Sequence, residues 1–300
     1  MKGILLSGGN GTRLHPATLV ISKQLLPIYD KPMIYYSISV LMLAGVTDFL
    51  LISSPRDLPK YKELFGDGSH LGIKIEYKEQ EKAEGLAQGV ILAEEFVKGD
   101  DTFWFMLGDN VLFGDELISM LRRVDKKRAG ATVFGALVSD PKRYGIAEFN
   151  EEYKVVGIEE KPKEPKSDYA IIGLYYLDKT AVGAAKKMKP SSRGELEMCS
   201  YQGSDGLLNY YLDKGALYIE RFGRGYAWLD TGTPESLGEA TEYVRIMEKR
   251  MGLKLGCLEE IAFNLGLINL DQLEKLGKNL SKSDYGKYIL KCCKMASEKE

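Results

Sequence analysis

The 300-residue chain has almost no net charge, with 41 basic side chains against 43 acidic ones. No overall field therefore holds nucleic acid or an anionic membrane, and no block of like charge is long enough to act as a tail. Long apolar runs are missing as well. None approaches the roughly 18 residues of a membrane span, and the first residues lack the basic, long-apolar, small-residue order of a secretory signal. A cytoplasmic protein with small or proteinaceous partners is expected. Cysteine is scarce: Cys199, Cys257, Cys292 and Cys293 show no CxxC spacing. The adjacent last pair cannot by itself make ordinary disulfide or zinc geometry, so reduced, structural thiols are expected. Internal repeats, low-complexity tracts and obvious linkers are also absent.

An apolar content of 44% is enough to bury a sizeable core in one large α/β domain with an appendage, or in two small domains. Residues 3–6 read as a buried strand ending at a glycine loop, and 33–44 as an apolar helix stopped by Gly45. The alternation continues with strands at 49–52, 73–77, 102–107 and 131–137 and helices at 58–65, 86–96 and 116–126. That order implies a doubly wound, mostly parallel sheet covered on both faces. Ligands bind at the carboxyl ends of such strands, so Ser7 to Arg13 and Gly108-Asp109-Asn110 should share one rim.

From about Tyr144 the rhythm changes. Strands at 146–149, 155–160 and 169–177 look antiparallel, a smaller part suited to sugar recognition. An amphipathic helix is expected over 234–251, with Thr233 as its cap and Pro234 at its first position. The division expected is a catalytic core over 1–233, its nucleotide half about 1–143 and its sugar half about 144–233, followed by a helical assembly or regulatory region over 234–300.

A strand, a glycine loop and then cations suit a phosphate, because glycines let backbone N–H groups approach the anion. The loop Gly8-Gly-Asn-Gly-Thr-Arg-Leu14 is no dinucleotide fingerprint, having leucine where the third glycine belongs, and no Gly-Lys-Ser/Thr follows as a P-loop demands. Taken alone, a tight turn after a first strand is its plain alternative. Arg13 and Lys23 add two cations, and Asp109 ends a strand at the same rim. Magnesium takes one or two protein carboxylates plus phosphate oxygens, so a second acid is wanted. Asp230 offers one, a helix-capping or turn role being its plain alternative. Glu160 and Lys161 close another strand, either to meet a sugar and its phosphate or as a solvated charged turn.

Taken together, the motifs resemble a known family. Gly8-Gly-Asn-Gly-Thr-Arg-Leu14, Ser22-Lys-Gln-Leu-Leu-Pro27, Gly85-Leu-Ala-Gln88, Gly108-Asp-Asn110, Arg143-Tyr-Gly145, Glu160-Lys-Pro162, Gly173-Leu-Tyr175, Arg193-Gly-Glu-Leu-Glu197 and Trp228-Leu-Asp-Thr-Gly-Thr233 occur in order. The chain is similar, from residue 1 to about 288, to the sugar-1-phosphate nucleotidylyltransferases in their long form. The resemblance implies transfer of a nucleotidyl group from dTTP to glucose 1-phosphate, with Mg²⁺ as cofactor and pyrophosphate leaving.

On that likeness Leu6, Gly8, Gly9, Gly11, Thr12, Arg13, Gln24, Gln80, Gly85 and Asp109 would bind the nucleotide. Tyr144, Gly145, Glu160, Lys161, Ile171 and Arg193 would bind the sugar phosphate. Asp109 and Asp230 would hold the metal, and Arg13, Lys23 and Lys161 would assist the chemistry. The nucleophile is a phosphate oxygen already ionised near neutral pH, so no general base is needed, and neither His15 nor His70 is given a proton-transfer role. The likeness further implies a homotetramer regulated by a product-like nucleotide sugar, with Gly114, Arg224, Glu259 and Glu260 at that second site.

Two segments depart from the family's pattern. The stretch Gln80 to Gly89 lacks its two prolines and carries Glu84 for its aspartate, which bears on the base pocket. After Glu197 the chain reads Met198-Cys-Ser-Tyr-Gln-Gly-Ser-Asp-Gly206, with Cys199 at the position of a threonine near the sugar. That change either alters sugar preference or lengthens a loop. The rival readings are a UTP-using or other sugar-1-phosphate enzyme, a non-catalytic nucleotide-sugar sensor, and a dehydrogenase, which Leu14 opposes.

Overall fold

The computed structural model describes residues 1–124 and 129–298. Across its main sheet the strands run Leu217–Arg221, Ala131–Leu137, Tyr169–Asp178, Thr102–Leu107, Lys2–Leu6, Asp48–Ser53 and Lys74–Glu79. Lys2–Leu6 lies parallel to both Asp48–Ser53 and Thr102–Leu107, and Leu6 stands opposite Leu107 in register. The glycine loop and Gly108 therefore leave adjacent strands at one level, as the alternation predicts. The middle strands are apolar without interruption because helices cover both faces; Phe103, Trp104, Phe105 and Met106 are fully buried.

Tyr169–Asp178 departs from the simple parallel expectation. This ten-residue strand enters the sheet antiparallel between Thr102–Leu107 and Ala131–Leu137. Its pairing with Ala131–Leu137 shifts between Ile171 and Tyr175, and at its start Ala170 also meets Ile146 of Gly145–Phe149. One strand thus carries the parallel sheet at one end and the Gly145–Phe149/Val155–Glu160 ribbon at the other, so the antiparallel strands are continuous with the main sheet. The helix expected over 86–96 is offset at Ala93 into Leu86–Leu92 and Glu94–Val97. Buried Val90, Ala93 and Val97 keep one apolar face through the offset. The helix expected over 116–126 spans Leu117–Val124, while residues 125 and 126 lie outside the described part.

Pro234–Met251 forms where local chemistry places it. Thr233 Oγ1 accepts from the Ser236 amide at 3.2 Å, and Gly252 ends the helix with φ 68°. Glu248 near its end reaches Lys31 Nζ at 3.0 Å, and Asp30 binds the same amine at 2.6 Å, with only 2% of the Lys31 side chain exposed. This pairing fixes the Pro27–Ile28/Lys31–Pro32 ribbon, which follows directly from Lys23. Leu258–Asn264, Leu270–Asn279 and Asp284–Ser297 complete the C-terminal helices, and the first of them packs on Ile34–Leu43. All four cysteines are free thiols. Among the described residues no helix is long and apolar enough to cross a membrane.

Candidate active site

At the end of the first strand the Ser7 amide donates to the Ile52 carbonyl at 2.8 Å, which sets the start of the glycine loop. A Cβ on Gly8 would lie 2.0 Å from Gln80 Oε1, so a side chain there would displace the Gln80 amide. Gln80 is buried against the loop, its Nε2 donating to Gln88 Oε1 at 2.6 Å. A cavity of about 700 Å³ lined by Tyr77, Gln80, Glu84 and Gln88 opens on this side. Gly9 and Gly11 take positive φ, and the single turn Thr12–Leu14 then directs Arg13 outward. Arg13 Nη2 comes within 3.1 Å of where a Cβ on Gly232 would stand. Among the described residues Arg13 has no hydrogen bond or ion pair to the protein. Gln24 is buried and accepts from Ser22 Oγ at 2.5 Å.

The two acids are brought together by a ribbon that the sequence did not disclose. Val111–Gly114 pairs antiparallel with Tyr226–Leu229, and Val111 faces Leu229, so Asp109 and Asp230 emerge at the same end. Asp109 Oδ2 accepts from Lys23 Nζ at 2.8 Å, and the Thr231 hydroxyl donates to the Asp109 carbonyl at 3.0 Å. Asp230 accepts from Arg143 Nη2 at 3.2 Å and from the Gly232 amide at 3.0 Å. Each carboxylate is thus matched by a cation. The donors are hard oxygens, as magnesium requires. Among the described residues no cluster of three or more His, Cys, Asp or Glu side chains forms a metal cage. An ion held by Asp109 and Asp230 would draw its other ligands from water or phosphate, which is how magnesium is usually held.

In the Gly145–Phe149/Val155–Glu160 ribbon Gly145 stands opposite Glu160. A Cβ on Gly145 would lie 2.9 Å from Glu160 Oε2 and 3.0 Å from Cys199 Sγ, so glycine leaves a notch flanked by a carboxylate and a thiol. Burial pushes the Glu160 carboxyl above the usual range, opposed by the positive charges of Lys161 and Arg193. Burial likewise raises the Cys199 thiol, and the Glu160 and Glu197 charges add to it. Lys161 sits in the left-handed region at φ 50°, its amide donating to the Tyr144 carbonyl at 2.9 Å, a strained backbone held by its surroundings. Its Nζ is 4.0 Å from Glu160 Oε1. Arg193 forks onto Glu197, Nε to Oε1 at 3.1 Å and Nη2 to Oε2 at 2.7 Å, while its guanidinium covers the Tyr201 ring at 4.3 Å. Ile171 is buried in Tyr169–Asp178. A Cβ on Gly85 would lie 2.4 Å from the Leu196 amide nitrogen, so the segments carrying Gly85 and Leu196 touch there.

The nucleotidyl transferase family model matches residues 2–245. A glucose-1-phosphate thymidylyltransferase of Neisseria meningitidis is 50% identical over 294 residues, covering 98% of this chain and 100% of the relative. The chain belongs to the glucose-1-phosphate thymidylyltransferase family. The family member of Mycolicibacterium smegmatis is 47% identical over 290 residues, 97% of this chain and 98% of its own. A solved structure described as a glucose-1-phosphate thymidylyltransferase of Bacillus anthracis, in complex with a sucrose, superposes with a TM-score of 0.74 at 38% identity. It covers 82% of this chain and 95% of that one. A UDP-glucose pyrophosphorylase complexed with UDP-glucose shares the fold at TM-score 0.69 and 22% identity.

Within this thymidylyltransferase framework two residues missed in the sequence organise the site. Asn110 Nδ2 donates to Asp109, and Asn110 Oδ1 accepts from Trp228 Nε1 at 2.7 Å and from the Gly173 amide at 3.2 Å. Arg143 neutralises Asp230 and lies over the Tyr144 ring, which in turn meets Trp228 edge-on at 5.2 Å. Both lie inside motifs quoted for their neighbours, which was the available signal. The four residues expected at a second site fall on three segments: the Val111–Gly114 strand, the turn before Tyr226–Leu229, and the Leu258–Asn264 helix. Gly114 ends its strand against the Tyr226 ring and Arg224 is exposed in the preceding turn, whereas Glu259 and Glu260 accept from the Tyr285 and Tyr288 hydroxyls at 2.6 and 2.8 Å.

Proposed function

We propose that the chain joins dTTP to glucose 1-phosphate, giving dTDP-glucose and pyrophosphate, by attack of a sugar-phosphate oxygen on the α-phosphorus. The observation that carries this reading is an Arg13 without a hydrogen bond or ion pair among the described residues, beside a glycine loop, with two strand-end carboxylates alongside. The new P–O bond forms as the bond to the β-phosphate oxygen breaks, and the electron pair leaves with pyrophosphate. Backbone amides of Gly8 to Gly11 and the Arg13 guanidinium bind the triphosphate, and Lys23 adds charge there. Asp109 and Asp230 would hold Mg²⁺, which supplies neutralisation of the phosphate oxygens. Lys161 and Arg193 orient the sugar phosphate, while Gly145 and Glu160 receive the hexose. In-line placement and fixed charge carry the rate, so a site without a histidine base suffices.

The direct test is pyrophosphate release by purified protein with Mg²⁺ and a matrix of dTTP, UTP, ATP and CTP against several sugar 1-phosphates. Turnover greatest with dTTP and glucose 1-phosphate is expected, and none with any pair refutes the reading.

Glu160 gives a prediction with opposite signs for stability and function. Burial makes the folded state bind this proton more tightly than the unfolded chain, so its contribution to stability falls as pH rises through the raised pKa. Above that window the ionised carboxylate opposes folding. Glu160→Gln should leave Tm at pH 8 unchanged or higher, while KM for glucose 1-phosphate rises about tenfold or more through the lost charged acceptor. A lower Tm with unchanged KM would remove Glu160 from the sugar site.

A further inference from the structure

Arg13 and Lys23 are joined by a segment, 15–22, with little apolar anchorage: Leu19 and Val20 are 58% and 75% exposed. Polar ties hold it instead. Arg56 Nη1 donates to the carbonyls of Thr18 at 3.4 Å and Leu19 at 3.1 Å, and Lys60 Nζ donates to that of Val20 at 2.7 Å. Asp57, 2% exposed, gathers both cations. Its Oδ2 accepts from Arg56 Nη2 at 2.6 Å and Nε at 3.0 Å, and from Ser54 Oγ at 3.1 Å; its Oδ1 accepts from Lys60 Nζ at 3.0 Å. Burial alone would raise this carboxyl, yet the bonds from Arg56, Lys60 and Ser54 hold it below the usual range.

Asp57 precedes the Leu58–Phe65 helix, where an aspartate ordinarily caps free N–H groups. Its side chain makes no such cap. The carboxylate is committed to the two cations, and they to the loop. Thr18, buried at 1% exposure, carries the restraint onward, its Oγ1 donating to the Gly11 carbonyl at 2.7 Å.

We infer that Asp57 is a positioning residue for nucleotide binding: through Arg56 and Lys60 it fixes the segment between Arg13 and Lys23, and through Thr18 the glycine turn. A carboxylate that merely stabilised its own helix would have no need of arms reaching backbone carbonyls about forty positions away. The inference rests on the triphosphate role proposed for that loop.

The test pairs a measurement on the free protein with kinetics. In Asp57→Asn, amide hydrogen exchange over 15–22 should quicken about tenfold or more while the Ile34–Leu43 helix is unchanged. The kcat/KM for dTTP should fall about 10²-fold, as expected when phosphate-binding groups lose their placement. KM for glucose 1-phosphate should stay within about twofold, and Asp57→Glu should recover part of the loss. If Asp57→Asn does not fold, the Arg56→Ala, Lys60→Ala double variant removes the arms, whose side chains are 47% and 38% exposed, and carries the same expectations. Unchanged exchange over 15–22, unchanged kcat/KM for dTTP, or equal losses for both substrates overturns the inference. Failure of the unaltered protein to turn over dTTP would instead count against the proposed function, and the exchange measurement alone would then decide the role of Asp57.

Discussion

Asp109→Asn is expected to lower turnover by about 10²-fold or more at saturating dTTP and glucose 1-phosphate, the loss typical when one preorganised electrostatic contact is removed. The replacement keeps the shape of the side chain and removes its charge. The bond from Thr231 to the Asp109 backbone carbonyl does not depend on the side chain, and the Val111–Gly114/Tyr226–Leu229 ribbon holds the segment on both sides. The effect should therefore appear in catalysis far more than in folding. Its charged partner is Lys23, whose side chain is only 10% exposed and would then face a neutral amide. A loss confined to that ion pair is separable from loss of a metal ligand by titrating Mg²⁺. If Asp109 is a ligand, the variant needs a higher Mg²⁺ concentration for half-maximal rate. Lys23→Met leaves the carboxylate in place and should not raise that requirement. Unchanged turnover in Asp109→Asn would contradict the metal assignment outright.

What could be read in the sequence was local, and what escaped it joined distant segments. The start of the helix over 234–251 was legible because its cap and its first-position proline lie beside and within it. Strand–helix alternation up to residue 137 was legible from apolar periodicity, apart from the offset at Ala93 and the short strands Pro27–Ile28, Lys31–Pro32 and Val111–Gly114. The antiparallel entry of Tyr169–Asp178 was not, since periodicity marks a strand without naming its partners, and this one pairs with strands more than thirty residues earlier. The site divides in the same way. Glycine spacing and strand ends pointed to Arg13, Asp109 and Asp230, whereas the Asn110 contacts span 63 and 118 positions and the Arg143 to Asp230 bond spans 87. Motif order named the residues. Only the packed chain supplied the pairs, among them the cation matched to each acid.

Arg13 should show the cleanest separation between stability and rate. Its guanidinium is exposed and has no hydrogen-bond or ion-pair partner in the protein among the described residues, while Lys23, Arg143 and Arg193 each face an acid. Removing it breaks no hydrogen bond or ion pair among the described residues, so Arg13→Met is expected to leave Tm within about 1 °C, as for a surface change away from the packed core. The same freedom makes its charge fully available to an anion arriving at the glycine loop. As pyrophosphate departs, negative charge grows on the β-phosphate bridge oxygen, and a cation fixed there lowers the barrier more than it tightens ground-state binding. Arg13→Met should therefore cut kcat about 10²- to 10³-fold with a smaller rise in KM for dTTP. Arg13→Lys keeps the charge without the planar two-pronged donor and should recover only part of the rate. Measured with both substrates saturating, a rise in KM for dTTP with kcat intact would move Arg13 from transition-state stabilisation to simple nucleotide binding. A fall in Tm matching the loss of rate would show that its freedom in the fold had been misjudged.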